Sequence, residues 1–414
     1  MAKRYTLQKL LDRRQLYKRR FLEFVFLCSF IFFTWLSHVT FTASIATAQT
    51  PDISQQVQQG VKSYEVGNYQ DAVTIWQKAL DIYKKANNVK NAAVVSENIA
   101  RAYRQLGDNK NEIGFFNAAI NYYTAGKDVR QVGKVTVELA QTYNNQGQIG
   151  KAIALLCRKK PDDKSNQQRS CEANSALGVA RANKDSSTEV AALGILGEAL
   201  RSQGNYNLAI EYLEAAKKVP NSGYEGLINN SLGNTHANRG QLWYLRTKSA
   251  QDNNLTKAEE FKQKAIADFN QSIDYFQNSL ESARKQNNPL GQLQALLNTI
   301  QVSYRSHQLN LIPQAKSDRL IKEAVTLIDK VPDPQAKVYA AIDLALLPRD
   351  YTVTSPIIQC SKTGEPGRLS NTESIDIFNK AIAPAKKFKI PVLNPMFTVP
   401  WGIFGNVEVM INKH

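Results

Sequence analysis

Residues 60–72 read GVKSYEVGNYQDA, and two positions of this stretch recur along the chain. Gly60 is followed seven residues later by Gly67, and the same pairing of a small residue with a glycine returns four more times. The later pairs are Ala100 with Gly107, Ala140 with Gly147, Gly197 with Gly204, and Gly233 with Gly240. Successive copies begin 40, 40, 57 and 36 residues apart. This regularity indicates a helical-repeat protein.

Each of the two repeated positions has a structural reason. A small residue at the first position lets two helices of a hairpin approach closely. A glycine at the second position ends the first helix, because it adopts the left-handed conformation without a Cβ penalty. A second helix follows, with apolar residues three and four apart on one face, such as Tyr69, Ala72, Trp76 and Ala79. The pattern is similar to that of tetratricopeptide repeats, so we predict an all-α fold, a right-handed α-solenoid of tetratricopeptide-like hairpins.

The sequence divides into three predicted segments. Residues 1–48 form a signal peptide or membrane anchor, and residues 49–347 form an array of about six hairpins. Insertions interrupt that array at 158–187 and 241–265, and the second is expected to be a longer helical hairpin that extends a repeat or contacts a partner. Residues 348–414 are predicted to be irregular and to represent a truncated end, since three prolines after residue 390 oppose a continued helix.

The amino terminus has the composition of an export signal. Eight Lys or Arg residues precede the apolar stretch 21–36, and Ala46-Thr47-Ala48 offers a small-residue cleavage site before Gln49. We therefore expect a periplasmic or secreted protein. In the alternative, an uncleaved segment anchors the chain and leaves the repeats facing the same compartment. Membrane contact is expected only through this segment.

The charge pattern argues against a nucleic-acid partner. The 414 residues carry a formal net charge of +16, and part of this excess lies in the first 48 residues. Beyond residue 20 the basic residues are scattered among acidic ones, with no run of five like charges. A protein that follows a phosphate backbone would concentrate Lys and Arg on one face.

Two cysteines flank the first insertion. Cys157 and Cys171 bracket a polar stretch and would form a disulfide across the loop in an oxidising compartment. The other interpretation is two unpaired thiols near helix ends. Cys360 has no evident partner in the sequence.

Polar residues on the first helices are the candidate binding residues, because these helices are expected to line the concave groove of the array. Arginine offers a forked donor, and asparagine offers both a donor and an acceptor, which suits peptide carboxylates and backbone amides. The candidates are Glu97, Arg101, Arg104, Gln141, Asn144, Glu198, Arg201, Asn230 and Asn234. We expect a protein or peptide partner there, against the alternative of a solvated groove. Replacing Arg101, Arg104 and Arg201 by Ala is expected to abolish capture without unfolding the chain.

The sequence contains no recognisable catalytic constellation. None of His38, His236, His307 and His414 lies at a recognisable spacing from a cysteine, and no phosphate-binding glycine motif is present. A metal site needs three or four convergent ligands, and the two loop cysteines supply only two. We therefore predict a protein that is not an enzyme and has no catalytic residue, cofactor or metal.

Residues 56–347 resemble the tetratricopeptide region of secreted cyanobacterial proteins that end in a CHAT domain, a caspase-like peptidase module. The resemblance rests on GVKSYEVGNYQDA at 60–72, CEANSAL at 171–177, AALGILGEALRSQGNY at 191–206 and NNSLGN at 229–234. It implies an interaction scaffold or, as the alternative, the sensor or substrate-docking arm of a peptidase. The family's histidine and cysteine dyad has no counterpart here, so the resemblance assigns no catalytic residue.

Overall fold

The structure is a computed structural model that describes residues 50–158, 171–220, 223–306, 309, 311–332, 337 and 340–341. In this part of the chain the backbone forms thirteen helices and no β-strand. The predicted leader 1–48, the segment 348–414 and Cys360 lie outside the described residues. The chain divides into two compact units, Met1–Ser279 and Leu280–His414. No helix in the described ranges combines the length and apolar character needed to cross a bilayer.

The first unit begins with three helical hairpins, in which each helix packs against the next. Their helices are α1 (Thr50–Glu65), α2 (Tyr69–Lys85), α3 (Val89–Leu106), α4 (Asn109–Ala125), α5 (Val129–Asn145) and α6 (Ile149–Leu156). A short extra helix follows, α7 (Ala176–Ala182), which packs against α5.

Two further hairpins complete the helices of the first unit. Their helices are α8 (Ser186–Ser202), α9 (Tyr206–Lys217), α10 (Glu225–Ala250) and α11 (Leu255–Lys285), the last of which runs past Ser279. The second unit contains the hairpin of α12 (Pro289–Arg305) and α13 (Gln314–Ile328). The predicted array of tetratricopeptide-like helical hairpins is therefore confirmed.

The turns inside the hairpins have the predicted backbone conformation. Gly67 and Gly107 have φ values of +83° and +74°, in the left-handed region that favours glycine. After Gly107 the following helix is capped by a side chain, since Asp108 Oδ1 accepts a hydrogen bond of 3.1 Å from the backbone N–H of Asn111. Left-handed glycine and N-cap together fix a short reversal between helices.

The small residues at the first repeated position lie where two helices touch. A Cβ atom added at Gly60, Gly197 or Gly233 would come closer than 3.0 Å to a side chain of the paired helix. Ala100 and Ala140, at the same position in other copies, are fully buried. The helices therefore approach as closely as the sequence predicts.

Gly240 does not end a helix, contrary to the sequence-based expectation. Helix α10 continues through it to Ala250, and a Cβ added at Gly240 would lie 3.1 Å from Cδ1 of Phe269. This glycine instead allows α10 to pack closely on α11. The predicted insertion at 241–265 is thus a continuation of both helices, which reach 26 and 31 residues, whereas α1 to α5 have 16 to 18.

A disulfide joins Cys157 and Cys171, whose Cα atoms are 4.8 Å apart. Beside it, the backbone N–H of Glu172 donates a hydrogen bond of 2.8 Å to the carbonyl oxygen of Arg158. Cys157 is buried against Tyr212 of α9, with 3.9 Å between Sγ and the phenolic oxygen. The bridge therefore ties the end of α6 to the segment that leads into α7.

Candidate partner-binding face

The first helices of the second and third hairpins present a shared polar surface. Half-buried polar residues recur three and four positions apart along α3 and α5, which places them on one side of each helix. We call the following seven residues the first-helix face: Asn98, Arg101 and Gln105 on α3, with Lys134, Glu138, Gln141 and Asn145 on α5.

An ion pair joins the two stripes of this face. Arg101 on α3 donates from Nε to Oε2 of Glu138 on α5 over 3.1 Å. Arg101 also pairs with Glu97 one turn earlier on its own helix. Burial alone would lower the pKa of the Arg101 guanidinium, but Glu138 and Glu97 more than offset this and raise it. Arg101 therefore stays charged and holds α3 beside α5.

Arg104 lies beneath this pair and connects three helices. Its Nε donates to Oε1 of Glu112 on α4 over 2.7 Å, and its terminal nitrogen donates to Oγ1 of Thr142 on α5 over 3.0 Å. The Arg104 side chain is 7% exposed and that of Glu112 is 4% exposed. The guanidinium also lies 5.0 Å from the ring centroid of Phe116. Arg104 is thus a buried structural residue and does not line an open groove.

The Glu138 carboxylate pairs with both Arg101 and Arg104 and remains ionised. Burial alone would raise the pKa of its carboxyl group, but Arg101 and Arg104 more than offset burial and hold the pKa below its ordinary value of 4.5. Glu138 is not among the residues predicted from the sequence, although it lies 37 residues after Arg101, close to one repeat interval. Acidic residues about one interval away from a candidate arginine are the signal that would have found it.

The candidate residues of the later hairpins are also mostly buried. On α8, Arg201 donates from Nε to Oε2 of Glu198 over 3.1 Å, and both residues are buried. Asn144 on α5 and Asn230 on α10 are buried as well, whereas Asn234 is half-buried.

The contacts of Arg101, Arg104 and Arg201 argue against the expectation that these residues can be replaced by Ala without loss of stability. Each arginine neutralises a buried or half-buried carboxylate, and removing it would leave that charge without its partner. Of the nine predicted residues, Gln141 and Asn234 retain accessible polar side chains outside these ion pairs.

A second polar cluster lies where α10 packs on α11. Nδ1 of His236 is 2.8 Å from Oδ1 of Asp268, and Arg239 donates from Nε to the other carboxylate oxygen over 2.8 Å. In the described ranges, no three His, Cys, Asp or Glu side chains converge as metal ligands would. His38, His307 and His414 lie outside the described residues. The absence of enzymatic activity stays a prediction.

Two family models match parts of the chain. The model described as soluble NSF attachment protein, SNAP, matches residues 41–158, and a tetratricopeptide repeat model matches residues 190–221. No curated protein matches the sequence. These matches agree with the tetratricopeptide-like hairpins that the structure contains.

Several solved structures show a distant likeness. A putative kinesin light chain with nearly identical repeats from Podospora anserina is 16% identical, with 54% of this chain and 97% of that chain covered and a TM-score of 0.37. A repeat protein from Bacteroides fragilis is 18% identical, with 59% and 98% covered and a TM-score of 0.25. The Rap conjugation gene regulator of the plasmid pLS20, solved with a Phr peptide, is 12% identical, with 84% and 81% covered and a TM-score of 0.40.

None of these comparisons concerns a CHAT domain or a secreted cyanobacterial protein. The resemblance to such proteins, the peptidase-arm alternative, export and the absence of a nucleic-acid partner therefore stay predictions.

Proposed function

We propose that this chain is an exported, non-enzymatic scaffold that binds a peptide or an extended protein segment on the first-helix face. The observation that carries the proposal is the pair of polar stripes on α3 and α5, held side by side by Arg101 and Glu138. Repeat arrays commonly bind their partners on the extended surface that successive repeats build together.

The chemistry of the face suits a peptide backbone. Asn98, Gln141 and Asn145 each carry an amide group, which can donate to a peptide carbonyl and accept from a peptide N–H. The seven face residues include two cations and one anion, so charge does not dominate the surface. A phosphate-binding surface would instead concentrate Lys and Arg.

The network beneath the face supports binding by holding it in place. Arg104, Glu112 and Thr142 connect α3, α4 and α5 through hydrogen bonds of 2.6 to 3.0 Å. A surface fixed in this way loses less conformational freedom when a partner binds. Arg104 thus contributes to recognition indirectly, by positioning the helices that carry the amide residues.

A peptide-display selection against the immobilised protein tests the proposal. The test variant replaces Asn98, Gln141 and Asn145 by Ala, a good helix former that leaves the buried ion pairs intact. The matched control replaces Gln70, Asn117 and Asn121 by Ala. These residues are exposed on the second helices α2 and α4, so the control also removes one glutamine and two asparagine side chains, but away from the face.

We expect peptides selected on the unaltered protein to bind the control equally and the test variant about tenfold or more weakly. Circular dichroism confirms that both variants stay folded. A selection that enriches no peptide, or peptides that bind both variants equally, would contradict the proposal.

Export is supported by the amino-terminal pattern and by the disulfide between Cys157 and Cys171, since disulfides persist mainly in oxidising compartments. The intact mass of the protein from its source cells, before and after reduction, tests this. We expect a chain that begins at Gln49 and gains about 2 Da on reduction of the bridge. A mass that retains residues 1–48 would indicate an anchor, and free thiols at both cysteines would overturn export.

A further inference from the structure

The hairpin of α10 and α11 extends beyond the length of the other hairpins. Helix α10 has 26 residues and α5 has 17, so α10 is longer by about 13 Å at 1.5 Å per residue. We call residues 245–258, which close this extension, the hairpin tip. The tip comprises the end of α10, a turn and the start of α11.

The extension is packed along its length. Trp243 on α10 stacks on Phe261 of α11, with 5.6 Å between ring centroids and 21° between ring planes. Thr247, Ala258 and Ala265 are buried between the helices. The tip is therefore held on a folded two-helix stem.

Three exposed cations at the tip lie against aromatic rings of the hairpin. Cζ of Arg246 is 4.8 Å from the Trp243 ring centroid, and Nζ of Lys248 is 4.8 Å from that of Tyr244. Nζ of Lys257 is 5.9 Å from the Phe261 centroid. Ring contacts of this kind orient a cation without cancelling its charge.

Within the described part of the chain, the three cations of the tip form no ion pair, although the carboxylates of Glu259 and Glu260 follow directly after the tip in α11. There, none of Arg246, Lys248 and Lys257 has a carboxylate within 4.0 Å, whereas Lys262 and Lys264 further along α11 pair with acidic residues. Asp252 is the single acidic residue in the tip sequence. By contrast, the arginines at 101, 104, 201 and 239 all pair with carboxylates.

Two leucines add apolar surface beside these cations. Leu245 is 54% exposed near the end of α10, and Leu255 is 75% exposed at the start of α11. Apolar residues surrounded by charge are a composition found at protein interaction sites. The tip thus combines three cations on ordered helices with two exposed leucines.

We propose that the hairpin tip binds an acidic segment of a protein partner. Its carboxylates would pair with Arg246, Lys248 and Lys257, and an apolar side chain beside them would cover Leu245 or Leu255. A protein segment fits better than a lipid surface, because the turn at the end of the hairpin carries exposed Asp252, Asn253 and Asn254. A bilayer approached end-on would meet these polar residues first.

Binding of a fluorescent peptide of alternating Glu and Leu tests the proposal, with a matched peptide of Gln and Leu as the neutral probe. The test variant is Arg246→Gln, Lys248→Gln and Lys257→Gln. The control variant is Lys78→Gln, Lys85→Gln and Lys110→Gln, which removes the same charge from exposed positions elsewhere. All substitutions are at exposed positions, and circular dichroism verifies folding.

We expect the acidic peptide to bind the unaltered protein and the control alike, and the test variant about tenfold more weakly. Binding should also weaken with added salt, because exposed charges are screened. The neutral peptide should not bind.

If the test and control variants lose affinity for the acidic peptide equally, net charge alone controls binding, and the proposal is overturned. Binding of vesicles that contain anionic lipid, without binding of the acidic peptide, would also overturn it in favour of a membrane surface. The variants leave the first-helix face unchanged, so this test is independent of the peptide-display experiment.

Discussion

At the residue scale, the arginines of the first helices act mainly inside the protein. Arg104 bonds to α4 and α5 from a nearly buried position, and Arg101 bridges two neighbouring first helices. Removing one partner of a buried ion pair is strongly destabilising, because the remaining charge is desolvated and has no opposite charge to compensate it. These residues should therefore affect stability more than surface residues of the same kind.

We predict that Arg104→Met destabilises the protein by about 3 kcal/mol, because the buried Glu112 loses its arginine and Glu138 keeps only Arg101. Lys262→Met is the control, because it breaks an exposed ion pair with Glu259 and should change stability by less than about 1 kcal/mol. Urea unfolding followed by circular dichroism measures both. Equal midpoints for the two variants would mean that the buried network adds no stability.

At the element scale, close packing of paired helices depends on the small residues between them. Gly60 on α1 faces the ring of Trp76 on α2, and that ring is itself fixed, because its Nε1 donates to the carbonyl oxygen of Val57 over 3.1 Å. Trp76 cannot move away without losing this bond. The hairpin therefore tolerates little added volume at Gly60.

Two glycine substitutions should have opposite effects. Gly60→Ala forces a methyl group closer than 3.0 Å to the Trp76 ring and should destabilise by about 1–3 kcal/mol. Gly114→Ala, inside α4 with nothing within 4 Å of the added Cβ, should stabilise by roughly 0.5–1 kcal/mol. Thermal melts of both variants check this, and shifts of the same sign would refute the assigned helix contacts.

At the scale of the whole molecule, several carboxyl groups in the first unit have depressed pKa values. Burial alone would raise the pKa of Glu138, Asp185 and Asp268. Hydrogen bonds from Arg101 to Glu138, from Arg130 to Asp185 and from His236 to Asp268 help to reverse the effect. In the folded chain the pKa of Glu138 lies below its ordinary value of 4.5, and the pKa values of Asp185 and Asp268 lie below 3.8.

These shifts predict a stability that falls in acid. A carboxyl group with a depressed pKa stabilises the fold above its unfolded value, and this contribution is lost as pH falls through the folded value. The urea midpoint should thus stay nearly constant from about pH 7 to about pH 5 and fall steeply below about pH 4.5. Glu138→Gln should reduce that fall, because the substituted group no longer titrates. A midpoint that is unchanged down to about pH 3 would contradict the assignment.

The sequence by itself determined the hairpins, because their signals are local. A left-handed glycine such as Gly107 and a small contact residue such as Ala100 act within one or two helices, so a regular spacing predicts both. Gly240 is the exception. A glycine can either end a helix or allow close packing within one, and the residues around Gly240 do not show which of these roles it has.

The tertiary structure decided which polar residues are accessible. Whether Arg101, Arg104 and Gln141 face a partner depends on acids brought from other helices, such as Glu138, which lies 37 residues from Arg101. Helical spacing predicts the side of a helix on which a residue lies, but it does not predict what the neighbouring helix places opposite. Only the packing of α3 on α4 and beside α5 separated the ion-paired arginines from the half-buried amides outside these pairs, because burial and charge pairing arise between elements.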